Sequence, residues 1–227
     1  MLVKYWMTTK VVTIDEDESM HAAIKLMNEN NIRRLPVTKK GKLTGIVTNL
    51  DLNRESASRA TTLAINELNY LIDQIKIKNI MTKKNLKTIS LTDTVEEAAI
   101  IMLEQKIGVL PVVDDGKLVG IITESDIFKV LISMTGVRQG GIQFAFELPD
   151  KPGTIKEVAD ILRSYGGRIL SIMTSYAQAK EGFRHVYIRM KGIDRNKFDS
   201  LRKELQKFDL IYIIDSTEKT KKVCYEK

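Results

Sequence analysis

Gly45-Ile46-Val47-Thr48-Asn49-Leu50-Asp51 returns 75 residues later as Gly120-Ile121-Ile122-Thr123-Glu124-Ser125-Asp126. Each copy is a glycine, two β-branched residues and then Thr-x-x-Asp opening a helix-like segment. On either side, the same offset of 75 links Leu35-Pro36-Val37 to Leu110-Pro111-Val112, Gly41-Lys42-Leu43 to Gly116-Lys117-Leu118, and Thr13-Ile14 to Thr88-Ile89. Met7-Thr8 and Met81-Thr82 are 74 apart, so one residue is inserted between Met81 and Thr88. One offset held at so many positions identifies two homologous units.

Each unit reads as strand, helix, strand, hairpin, strand, helix. In the first, Met20, Ala23, Ile24 and Met27 step with helical spacing. Ile32 to Val37 is a short β run, Gly41 supplies a turn and Leu43 to Val47 is the next strand. In the second, Thr92 to Glu96 opens a helix with acidic residues in its first turn, and Ala98, Ala99, Ile101 and Met102 form its buried face. Leu110 to Val113 and Leu118 to Ile122 flank the turn Asp114-Asp115-Gly116 as a hairpin. Between the units, Ala57, Ala60, Ala64, Leu68, Leu71 and Ile75 predict an amphipathic helix packing back on the pair.

Thr48 sits where a strand hands over to a helix and is a natural N-cap. The first N–H groups of a helix lack internal partners and its start is electropositive, so a phosphate there would meet aligned donors. Asp51 can turn an acceptor-only carboxylate to the same mouth, where its two oxygens suit the hydroxyls of a ribose. Arg54 and Lys129, each three residues beyond its Asp, are phosphate candidates, as are Arg33 and Arg34. The same spacing is also a capping box, which only stabilises a helix start. A single copy does not choose between these readings.

The doubled set, carried by Met7-Thr8, Arg34-Leu35-Pro36-Val37 and Gly45 to Asp51 with their partners, resembles a CBS-domain pair, or Bateman module, over about residues 1 to 134. The resemblance implies two βαββα units and two adenosyl sites. In it, Thr48 and Thr123 contact phosphate, Asp51 and Asp126 contact ribose, and Thr13-Ile14 with Arg34-Leu35-Pro36 line the adenine slot. Thr88, Ile89, Val109, Leu110 and Pro111 are their partners in the second unit. Because Ile107-Gly108-Val109 lacks the arginines of Ile32-Arg33-Arg34, the Thr48/Asp51 site is expected to hold phosphates more firmly.

The pattern changes after a glycine-containing linker at 135–141. Ile142, Phe144, Phe146 and Leu148 alternate with polar or small residues as a half-buried strand. Ile155, Val158, Ala159 and Leu162 make a helix stripe, ended by Gly166-Gly167. Arg168 to Tyr176 and Val186 to Met190 are strands, Phe198, Leu201, Leu205 and Phe208 a second stripe, and Leu210 to Ile214 a last strand. The order βαββαβ is the ferredoxin-like arrangement. With Leu148-Pro149-Asp150-Lys151-Pro152-Gly153 after its first strand, this region, 142–215, resembles an ACT domain. The resemblance implies an amino-acid effector at Asp150, Pro152 and Gly153; the plain reading of those three residues is turn chemistry. The fold class is thus mixed α/β and α+β: units at 1–75 and 76–134, a ferredoxin-like domain, and a polar, frayed tail at 216–227.

The 227 residues carry a net charge of +7. That fits anionic ligands, but the helices that could read DNA are accounted for as core elements, so nucleic acid is not the expected partner. The lone cysteine, Cys224, excludes an intrachain disulfide and a thiolate metal cluster. His21 and His185 lack metal-ligand spacing, so no metal is expected. No catalytic set suggests itself, and no phosphate loop of the Walker or Rossmann kind occurs. The start lacks the apolar core of a signal peptide and no run reaches membrane-helix length, so a cytoplasmic protein without membrane attachment is expected. The order CBS, CBS, ACT is similar to that of acetoin-utilisation AcuB-like proteins. It implies a non-enzymatic, homodimeric regulator that senses AMP, ADP or ATP, with S-adenosylmethionine or NAD as other adenosyl ligands, and acts on a protein target. Two other readings stand beside it: an amino-acid sensor with the CBS pair as scaffold, and a nucleic-acid-binding regulator.

Overall fold

Helix α1 (Met20–Glu29) forms because Ser19 caps it, accepting from Ala22 N–H at 3.2 Å, and because Met20, Ala23 and Met27 share one buried face. In this computed structural model, which describes residues 1–59, 72–218 and 221–226, that helix packs on a sheet of three strands. They are β1 (Ile14–Asp15), β2 (Arg34–Lys39) and β3 (Lys42–Thr48). β1 runs parallel to β2 and β2 antiparallel to β3. Lys40 and Gly41 both take positive φ, 49° and 78°, as a two-residue hairpin turn requires. Helix α2 (Asn49–Arg59) follows β3 directly. The amphipathic helix expected between the units falls largely on residues 60–71, outside the described residues. Its last expected position, Ile75, is buried with Ile72 in the core of the first repeat.

The second repeat is built alike. A short helix α3 (Ile77–Ile80) leads to β4 (Ile89–Ser90), α4 (Val95–Gln105), β5 (Val109–Asp114), β6 (Lys117–Thr123) and α5 (Glu124–Thr135). The sheet order β4-β5-β6 repeats β1-β2-β3. Both hairpins shift register at the same place, after Val37 and after Val112. Thr94 caps α4 in a reciprocal capping box with Glu97.

The two repeats exchange their leading segments. Thr8 forms a bridge to Ile121, and Thr82 to Ile46, each with two backbone hydrogen bonds of 2.9–3.1 Å. The leader of each repeat therefore pairs with the last strand of the other. Val3, fully buried, donates to Asp93 of the second repeat, while Ile77 and Lys78 donate to Glu18 and Glu16 of the first. Gly45 permits the approach: a Cβ there would lie 2.7 Å from Met81 Sδ and 2.8 Å from Thr82 O. The glycine that opens each repeated stretch is thus where another backbone passes.

The chain divides into compact units at Phe128/Lys129, inside α5, and not at the expected linker. Residues 135–141 belong to the second unit: Ser171 Oγ donates to Thr135 O at 2.9 Å, and Arg189 Nη1 to Gly140 O at 3.5 Å.

The second unit is one antiparallel sheet with two helices. β7 (Ile142–Pro149), α6 (Thr154–Ser164), β8 (Arg168–Ser175), β9 (Phe183–Lys191), α7 (Phe198–Leu205) and β10 (Asp209–Glu218) give the order βαββαβ. The strands lie side by side as β11-β10-β7-β9-β8, where β11 spans Lys221–Glu226. Phe144, Phe146, Leu148, Val186, Ile188 and Met190 face Val158, Leu162, Leu201 and Leu205 to form the core. Fully burying such side chains stabilises by roughly 1.5–3 kcal/mol each before chain entropy is counted. The expected tail is a correction: β10 runs past residue 215, and β11 turns back to pair with it, Cys224 opposite Ile214. Val223-Cys224-Tyr225 has strand-forming composition, and the flanking lysines suit an edge. No helix among the described residues is long and apolar enough to cross a membrane.

Glu147 is buried in this sheet and paired with Lys180. The Lys180 ammonium and backbone N–H hold the Glu147 carboxyl below the usual carboxylate range. A carboxyl depressed in the folded state adds stability above its unfolded pKa, about 4.3, and loses it as pH falls through the folded value. Glu147→Gln is expected to make thermal unfolding of the protein less sensitive to acid over that window. A circular-dichroism melting series from about pH 3 to pH 7 checks it, an unchanged acid limb counting against the pair.

Candidate functional site

The junction of β3 and α2 points Thr48 and Asp51 at each other. Thr48 N–H and O–H both donate to Asp51 Oδ2, at 2.9 and 2.7 Å, and Asp51 N–H donates back to Thr48 Oγ1 at 3.3 Å. The junction of β6 and α5 repeats this, Thr123 N–H and O–H donating to Asp126 Oδ2 at 3.0 and 2.7 Å. Both pairs are therefore helix caps. The expectation of open N–H donors needs correction. Thr48 N–H is held by Asp51, and Asn49 N–H donates to Arg33 O at 2.9 Å. Of the first four amides only that of Leu50 lacks such a bond among the described residues. A phosphate at this mouth would rely on side-chain cations and hydroxyls more than on bare amides.

A cavity of about 590 Å³ opens at Thr48 and Asp51, within the range typical of small-ligand sites. Its apolar wall combines Ile46, Leu50 and Leu86 with Ile107, Val109 and Pro111. Its cations are Arg33, Arg34, Lys87 and Lys106. The apolar wall can stack a planar base, the cations can neutralise anionic oxygens, and Asp51 keeps Oδ1 outside its bond to Thr48. Among the described residues no cluster of His, Cys, Asp and Glu could hold a metal ion.

Of the expected residues, Arg33, Arg34, Thr48, Asp51, Val109 and Pro111 line this one cavity. Leu35 and Leu110 are fully buried core residues, and Ile14 and Ile89 are nearly so. Pro36 is buried, while Thr13, Thr88, Arg54 and Lys129 are exposed, and none of the five lines it. Thr123 and Asp126 lie at the other repeat's mouth. Thr13 and Ile14 are not in the wall beside Thr48 and Asp51, which Thr82, Asn85, Leu86 and Lys87 form because the leaders are exchanged. Lys87 was missed for this reason. The signal was the glycine ahead of Thr-x-x-Asp, which marks close passage of a second backbone.

In the second unit, Gly153, at φ 93°, precedes α6 without a side-chain cap. Asp150 is already engaged: Arg184 Nη1 lies 3.3 Å and Tyr176 Oη 3.5 Å from its Oδ1. The buried Arg184 Nε has no hydrogen-bond partner among the described residues.

Comparison with known proteins follows the repeat. The CBS domain family matches residues 3–58 and 77–133. A CBS domain-containing protein of Dictyostelium discoideum is 38% identical over 138 residues, 59% of this chain and 93% of that protein. Inosine-5'-monophosphate dehydrogenase of Staphylococcus haemolyticus is 38% identical over 119 residues, 51% of this chain but 21% of the enzyme. The crystal structure of a Vibrio cholerae protein assigned to acetoin utilization (AcuB) superposes with a TM-score of 0.51 at 28% identity, covering 61% of this chain and 96% of that one.

Proposed function

Because the chain belongs to the CBS-domain family, we propose that it is a non-enzymatic regulatory protein whose CBS pair binds an adenine nucleotide. The observation that carries this is the Thr48/Asp51 cavity, which joins an apolar wall to four cations around one carboxylate. AMP, ADP and ATP fit that chemistry. S-adenosylmethionine and NAD share the adenosyl group and are the alternates. The ligand would favour one arrangement of the pair, and a tenfold preference between two arrangements supplies about 1.4 kcal/mol.

In this proposal the βαββαβ unit is an ACT-like domain that relays the change within a homodimer or to a protein target. The likeness to the AcuB structure makes acetoin or central carbon metabolism the setting to test first. An amino-acid effector at Asp150, Pro152 and Gly153 is a second reading. It is favoured by Arg184, whose guanidinium lies beside that loop with Nη1 3.3 Å from Asp150 Oδ1, where an effector carboxylate would share it.

Calorimetry of the full chain with AMP, ATP, NAD, S-adenosylmethionine and a set of amino acids separates these readings. Saturable binding of at least one adenosyl ligand is expected. Amino-acid binding alone would favour the second reading. Tight DNA binding with steep salt dependence would overturn both.

A further inference from the structure

The two mouths are equal in their Thr/Asp pairs and unequal in charge. At the first, Arg33, Arg34, Lys87 and Lys106 face the one carboxylate of Asp51. The repeat offsets of 75 map Arg33, Arg34, Lys87 and Lys106 onto Gly108, Val109, Val12 and Asn31. The exchanged leaders carry the same mapping in space, since Thr8 bridges Ile121 as Thr82 bridges Ile46. Lys87 and Lys106 therefore have no cationic counterpart at the second mouth, where Arg33 and Arg34 stand in the places that Gly108 and Val109 hold at the first. Asn49, next to Thr48, becomes Glu124, next to Thr123.

Glu124 also takes a cation. Its Oε2 lies 3.9 Å from Arg34 Nη2, so it competes with the first cavity for that guanidinium. The pair sits over Gly108, where an added Cβ would collide with both groups. The absence of a side chain at 108 thus makes the contact with Arg34 feasible. Glu124 stands in the first turn of α5, so it complements the electropositive helix start that an incoming phosphate would need. Glu124 N–H is spent on Gly108 O at 3.2 Å.

We propose that Glu124 is a specificity residue that closes the second mouth to phosphorylated ligands, leaving the Thr123/Asp126 mouth for an adenosyl group without phosphate. The inference rests on the adenosyl reading of the pair and adds to it a division of ligand class. The first mouth takes a nucleoside polyphosphate, the second an uncharged nucleoside or an adenosyl ligand bearing a cation. Arg34 is the residue both mouths share.

The test counts ATP and adenosine per chain by equilibrium dialysis. The wild-type protein is expected to bind one ATP. Glu124→Asn, which gives the second mouth the residue of the first, is expected to bind two, the added site strengthened at least tenfold, about 1.4 kcal/mol. Its affinity for adenosine stays within about twofold, a change of only tenths of a kcal/mol. In the reverse variant, Asn49→Glu weakens ATP at the first mouth at least tenfold. Two equal ATP sites in the wild type, or one in Glu124→Asn, would overturn the division of ligand class while leaving the adenosyl reading intact. No binding of either ATP or adenosine to the wild type would overturn both.

Discussion

Asp51→Ala is expected to weaken adenosyl-ligand binding roughly 10- to 150-fold, which is the 1.5–3 kcal/mol of one hydrogen bond to a charged group. Its Oδ2 is committed to Thr48 at 2.7 and 2.9 Å, so Oδ1 is the oxygen that a sugar hydroxyl of the proposed ligand would meet. The same substitution removes a helix cap, a loss of about 0.5–2 kcal/mol in stability. Asp51→Asn separates the two effects. An amide oxygen can still accept from Thr48 N–H, so the cap survives in large part, while the charge that would strengthen the proposed ribose contact is gone. Calorimetry for affinity and thermal unfolding for stability should therefore diverge in the Asn variant and fall together in the Ala variant. Unchanged affinity in both would leave Thr48 and Asp51 as a capping box and nothing more.

The features the sequence made legible are local or periodic. The two repeats, their hairpins and the Thr/Asp caps follow from Gly41 and Gly116, from β-branched runs and from one fixed offset. The exchanged leaders do not. Thr82 and Ile46 are far apart in the chain, and a single bridge between them leaves no period to read. Placing Thr13-Ile14 with Arg34-Leu35-Pro36 around one slot gave no hint of a wall that comes from the other repeat. Structurally, Ile14 is core and Lys87 lines the cavity. Lys106 was hidden in a different way, since it stands at the left-handed C-cap of α4 with φ 53°, where a sequence reading sees only a helix end. Residues 135–141 read as a linker because three glycines dominate them, yet the buried Arg189, reaching Gly140 O, ties that segment to the sheet. Polar composition similarly concealed β11, whose pairing with β10 depends on main-chain groups that composition does not report.

Gly45→Ala is expected to cost about 1–3 kcal/mol of stability, the range for overpacking a filled site, and to abolish ligand binding at the Thr48/Asp51 mouth. The added Cβ meets two atoms, Met81 Sδ at 2.7 Å and Thr82 O at 2.8 Å. Met81 can turn its thioether aside. Thr82 cannot move as easily, because its N–H and C=O are both bonded to Ile46, at 2.9 and 3.1 Å. Displacing it breaks those bonds and shifts Asn85, Leu86 and Lys87, which follow it into the cavity wall. Gly120→Ala provides the internal control. Its new Cβ meets the flexible Met7 thioether and finds Thr8 O at 3.2 Å, a gap that a few tenths of an ångström would relieve. Denaturant midpoints should therefore drop further for Gly45→Ala than for Gly120→Ala, with ATP binding lost in the first and largely kept in the second. Equal midpoints and equal binding would mean that the close passage of the leader is not what fixes the glycine ahead of Thr-x-x-Asp, and that the wall of the site is held in place by other contacts.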